Sequence, residues 1–144
     1  MHRLLLILTS CILTATLATA QTHTNTVSTY GEGCGPVASG AVTPNGATNR
    51  VTFTIGQAKP STPVVIMIGV FEGFIPLFDP GCALLIDPIF FTQNHRTDAA
   101  GTYSFSKALP ATNIGDARIQ FAEVDLSGGD IVIRTTNGLL LEMR

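Results

Sequence analysis

From residue 21 onward no window of this chain repeats apolar residues at i, i+3 and i+4 between helix caps. Instead β-branched and aromatic residues alternate with turn formers along its whole length. That period of two excludes a helical domain and predicts an all-β one. In RVTFTIG, residues 50–56, Val51, Phe53 and Ile55 point one way and Thr52 and Thr54 the other, as in a half-buried strand. VVIMIGV, residues 64–70, is apolar on both faces and suits a central strand covered on both sides, with Pro60 and Pro63 marking the turn before it. Further strands are predicted in CALLIDPIFFTQ, which Asp87-Pro88 interrupts, in the residues after a turn at Asp98–Gly101, and around Ile119 and Phe121. IVIRTTNGLLLEMR divides at Asn137-Gly138, a strong hairpin signal that an irregular crossing between sheets would also satisfy. Seven to nine short strands predict a two-layer antiparallel β-sandwich, immunoglobulin-like or jelly-roll-like, with a small β-barrel as the alternative.

The first twenty residues read differently. Arg3, an apolar stretch from Leu4 to about Leu17 and the small residues Ala18 and Ala20 form a Sec signal peptide cleaved after Ala20. The stretch is too short and too rich in Thr for a transmembrane segment, which needs about 20 apolar residues. Leu8–Cys11 resembles a lipoprotein box. Against lipidation at Cys11, few apolar residues precede it and the apolar stretch runs on to the better site. The expected organisation is a signal peptide at 1–20, a flexible lead-in at 21–29 and one domain at 30–144. The expected location is extracellular, with the periplasm or cell surface as variants.

Cleavage leaves seven Lys and Arg against ten Asp and Glu, scattered along the chain. Nucleic-acid binding needs clustered basic residues, so that class is excluded, and electrostatic membrane binding is disfavoured. It also leaves two cysteines, Cys34 and Cys82. An even count in an exported chain makes a disulfide the default. The rival reading, a reactive thiol, needs a basic neighbourhood to lower its pKa, whereas Glu32 and Asp79 stand nearby.

Four stretches occur in order: YGEGCGP (30–36), IPLFDPGCALLIDP (75–88), TDAAGTYSFSKALP (97–110) and TTNGLLLEM (135–143). Together they resemble a domain recurrent in secreted proteins of planctomycetes and other environmental bacteria, over about residues 30–143. The resemblance implies an extracellular domain, often appended to larger proteins, whose Cys34 and Cys82 are bridged. It implies no established activity. The segment FEG (71–73) is shorter here than the polar insertion common at that place.

Candidate chemistry is sparse. His23, in the flexible lead-in, and His95, expected in a solvated polar turn, are the two histidines outside the signal, and no Gly-x-Ser-x-Gly elbow is present. Two histidines and two bridged cysteines do not make a zinc site, so neither metal nor cofactor is expected from them. Asp125 and Asp130 in DLSGGD offer oxygens for calcium, although a turn of Asp, Ser and Gly needs no ion. Asp79 and Asp87 are the acids a small hydrolase near the disulfide would use. Phe71, Phe74, Ile75, Leu77 and Phe78 crowd one loop, either as an interaction patch if exposed or as a plug over the open end of the sandwich. The absence of Trp lowers a sugar-stacking reading. The leading expectation is a non-enzymatic secreted module that associates with a cell-surface protein or polysaccharide; a hydrolase and an anchoring or sorting domain are the alternatives.

Overall fold

The computed structural model describes residues 24–79, 81–112 and 115–144, and these form eleven strands and no helix. Residues 1–20, where a signal peptide is expected, and His23 lie outside the described residues. The larger sheet runs in the order β1 (Asn25–Tyr30), β11 (Gly138–Met143), β9 (Gly115–Asp125), β4 (Pro63–Gly69) and β7 (Ile89–Arg96), and β10 (Val132–Thr135) also pairs with β9. The smaller sheet is β2 (Val37–Asn45), β3 (Thr48–Gly56) and β8 (Tyr103–Pro110). A two-stranded ribbon, β5 (Glu72–Pro76) and β6 (Ala83–Ile86), lies on the outer face of the larger sheet. All pairings are antiparallel and both sheets are open at their edges, so the fold is a sandwich and not a closed barrel.

The alternation read in the sequence places the core. Val51, Phe53 and Ile55 of β3 face Val64 and Ile66 of β4, Ile119 and Phe121 of β9, and Leu139 and Leu141 of β11 between the sheets. On the outer face of β3, Thr52 and Thr54 bond the hydroxyls of Ser106 (2.7 Å) and Ser104 (2.9 Å) across to β8. β4 is central, as its two apolar faces predict: its even residues enter the main core, while Val65 and Met67 join Ala122, Leu84, Ile86 and Ile89 beneath the ribbon. Burial of these side chains supplies the main driving force, about 25 cal/mol for each Å² removed from water.

The structure corrects four expectations. The stretch assigned to a lead-in is largely strand: Asn25–Tyr30 pairs residue for residue with Gly138–Met143. β1 reads as polar because it is an edge strand in which mainly Asn25 and Val27 point inward. The described residues form eleven strands where about seven to nine were expected, and β1, β2 and β5 lie in stretches where the sequence reading placed none. Asn137-Gly138 is not a hairpin turn. β10 and β11 run in line along β9, with Thr135 opposite Ala122 and Leu139 opposite Ile119, so one extra residue is held between them. That is a β-bulge. His95 lies within strand β7, with its ring stacked on Tyr103 at 4.4 Å, and not in a solvated turn.

Candidate interaction surface

The bulge is where three of the four sequence stretches meet. The Cys34–Cys82 disulfide, with Cα atoms 4.9 Å apart, ties the β1–β2 connection to the ribbon. The Cys34 N–H donates to the Thr135 carbonyl (2.9 Å), laying that connection against the end of β10. Next to it the Asn137 side chain acts as a backbone surrogate: its Oδ1 accepts from the Ala38 N–H (2.9 Å) and its Nδ2 donates to the Ala38 carbonyl (3.1 Å). One amide thereby joins β2 of the small sheet to the large one.

Gln120 is the centre of the knot and is fully buried. It points to the outer face of the large sheet, where Nε2 donates to the carbonyls of Ala83 (3.0 Å) and Thr136 (2.8 Å), and Oε1 accepts from the Leu85 N–H (2.8 Å). Both amide hydrogens and the amide oxygen are therefore satisfied, as a buried polar group requires. Tyr30 makes a parallel tie, its hydroxyl donating to the Leu85 carbonyl at 3.0 Å. The Tyr30 ring lies over Gly138, where an added Cβ would overlap it, so this glycine serves close approach and not a turn. Burial pushes the Tyr30 phenol up to about 12, the Arg118 cation opposing and the Glu72 carboxylate assisting.

What the knot holds in place is the ribbon, and the ribbon is apolar on its outside. Leu84 and Ile86 pack down toward Met67 and Ala122. Phe71, Phe74, Ile75 and Phe78 do not: they are 63, 73, 42 and 108 % exposed, and Leu77 is half-buried. The loop is thus a displayed surface and not a plug over the end of the sandwich. The surface extends to Phe90 at the start of β7 and to Leu126, Ile131 and Ile133 around β10, all exposed. Between Leu77–Asp79 and Ile131–Ile133 is a cleft of about 290 Å³. The sequence reading missed Phe90, Ile131 and Ile133, because runs such as IFF and IVI look the same whether one face or both are covered.

The other candidates fall away from one another. Asp79 lines the cleft at the ribbon's turn, whereas Asp87 follows the opposite end of β6. The stretch of β6 between them, from Ala83 to Ile86, is four residues long, or three steps and about 10 Å at 3.4 Å per residue, and the two acids lie beyond its ends. That exceeds the roughly 6.5–9.5 Å separation of carboxylates in an inverting glycosidase. Asp125 is buried and fully engaged: Oδ2 pairs with the Lys59 ammonium, and Oδ1 accepts from the Ser127 N–H (3.0 Å) and hydroxyl (2.7 Å). These bonds, that to Lys59 foremost, hold its carboxyl well below the usual carboxylate range. The turn is complete without calcium, and Asp130 is exposed. Among the described residues no group of three His, Cys, Asp or Glu side chains is placed to hold a metal ion, and no helix is long and apolar enough to cross a membrane.

Comparison of the chain with protein-family models, with curated proteins and with solved structures finds no match.

Proposed function

We propose that this chain is a secreted, non-enzymatic β-sandwich module that associates with a protein partner at the cell surface or in the extracellular medium, through the exposed face of the β5–β6 ribbon. The observation that carries the reading is the exposure of Phe71, Phe74, Ile75 and Phe78 on one ribbon that a disulfide and a buried glutamine fasten to the sandwich. A contiguous apolar surface costs solubility and marks contact sites in soluble proteins. A rigid mounting reduces the entropy lost when a partner orders it. The surface suits protein better than polysaccharide: its rings are phenyl groups, with no Trp in the chain, and few polar groups stand among them to bond sugar hydroxyls. The disulfide and the signal-like N-terminal sequence support export. The test is retention of the purified, oxidised chain by envelopes of its source cell. Saturable retention that disappears in Phe71→Ser/Phe74→Ser supports the reading, and equal retention of the folded variant overturns it.

A further inference from the structure

The free edge of β10 adjoins the ribbon face and carries an interaction of its own, made by its backbone groups. Both backbone groups of Thr135 turn away from β9 toward Cys34: its carbonyl accepts from the Cys34 N–H at 2.9 Å and its N–H points to the Cys34 sulfur at 3.3 Å. In an antiparallel ladder this orientation alternates along the strand. The N–H and C=O of Ile133, and of Ile131 as the strand is continued, therefore also face outward. No other strand pairs with β10 on that side among the described residues. The side chains along this edge are exposed isoleucines, Ile131 at 72 % and Ile133 at 41 %, beside the cleft that Leu77 and Phe78 complete.

An exposed edge of this kind accepts another extended strand. Of the strands available, β10 of a second copy fits in both hydrogen bonding and charge. We infer that the chain self-associates through a two-fold antiparallel pairing of β10 with β10, centred on Val132. In that register Ile131 lies opposite Ile133 of the second copy, and vice versa, so outward-facing backbone groups meet outward-facing groups and four hydrogen bonds close. Residues directly opposite share a face, and the same register sets Asp130 opposite Arg134 of the second copy, twice by symmetry. Asp130 has no ion-pair partner among the described residues, and Arg134, half-buried, reaches its own buried Glu123 only at 3.9 Å. The isoleucines and Phe78 of both copies come together on the ribbon side of the new sheet, covering apolar surface that each copy leaves in water.

Sedimentation equilibrium on the oxidised chain tests this, with two variants chosen to leave the β9 ladder intact. Asp130→Lys changes an exposed side chain and places a cation opposite Arg134 of the second copy. Ile133→Pro deletes an outward N–H, at the one position type where an edge strand accepts proline, together with the side chain that faces Ile131 of the second copy. The expected result is a concentration-dependent dimer whose Kd rises about tenfold or more in Asp130→Lys. Added salt weakens the parent dimer and strengthens that of the lysine variant, because screening removes attraction in one and repulsion in the other. A chain that stays monomeric up to about 1 mM, or a dimer indifferent to Asp130→Lys, overturns the inference. Should Ile133→Pro lose its fold by circular dichroism, Asp130→Lys and the sign of its salt dependence decide alone. Neither variant alters Phe71 or Phe74, so retention by envelopes and self-association fail separately.

Discussion

Replacing Gln120 by Leu removes one side chain and orphans three buried backbone groups: the Leu85 N–H and the carbonyls of Ala83 and Thr136. All three residues are buried, so water does not easily replace the amide. A buried group left without a partner costs about 1–3 kcal/mol, and three of them cost about 3–9 kcal/mol if none relaxes. Leucine has a similar volume and returns about 1–2 kcal/mol by burying apolar surface. Partial relaxation of the ribbon brings the net loss to about 3 kcal/mol. A single domain has about 5–15 kcal/mol in total, so the variant still folds, and its ribbon stays tethered by Cys34–Cys82. Urea unfolding under non-reducing conditions measures the change, and the midpoint temperature is expected to fall by about 10–15 °C for a domain of this size. Native-state hydrogen exchange supplies the local readout, since the Leu85 amide loses its acceptor and is expected to exchange faster than amides of β3. A loss below about 1 kcal/mol with an unchanged Leu85 amide would refute the claim that Gln120 fastens the ribbon.

The other predictions concern pH. The chain has two tyrosines and no tryptophan, which makes tyrosinate absorbance readable residue by residue. Tyr30 is raised to about 12 by burial and Tyr103 is also raised by burial, so the alkaline titration is expected to lie above the ordinary phenol value of 10.0, with the later step absent in Tyr30→Phe. Because the folded state holds this proton more tightly, the stability due to Tyr30 is complete below pH 10 and is lost as the pH rises through about 12. Asp125 has the opposite sign. Its carboxyl is depressed by Lys59 and Ser127, so its contribution is present above the unfolded value near 3.8 and is lost as the pH falls through the lower folded value. Acid unfolding of Asp125→Asn is expected to show a shallower dependence on pH than the parent below about pH 4; an identical slope contradicts the ion pair's role.

Much of the sandwich is legible in the sequence because its physical signal is local. The alternation of Val51, Phe53 and Ile55 and the doubly apolar β4 need only the pleat to be interpreted. β1 is not legible in this way, since an edge strand with one inward apolar side chain, Val27, carries almost no period. The Asn-Gly step failed for another reason. The residue pair that favours a tight turn also suits a bulge, and the deciding facts are long-range ones, the Ala38 backbone that Asn137 bonds and the Tyr30 ring that Gly138 admits. Gln120 is the clearest omission: a glutamine between Ile119 and Phe121 reads as the solvent side of a strand, and only the ribbon above it makes that position interior. The apolar loop at Phe71–Phe78 was visible as composition, but its exposure depends on which strand of the ribbon faces down. The residues of YGEGCGP, GCALL and TTNG, conspicuous as motifs, prove to be the fastening of the displayed surface and not part of its outer face.

The account's central claim is that this surface is the one that binds. Its most direct measurement is a binding isotherm of the oxidised chain on envelopes of its source cell, run beside Phe71→Ser/Phe74→Ser and beside Thr52→Ala/Thr54→Ala on the outer face of the small sheet. A loss of affinity of about tenfold or more in the phenylalanine variant alone is the predicted result. Equal affinity in all three folded proteins would contradict the claim.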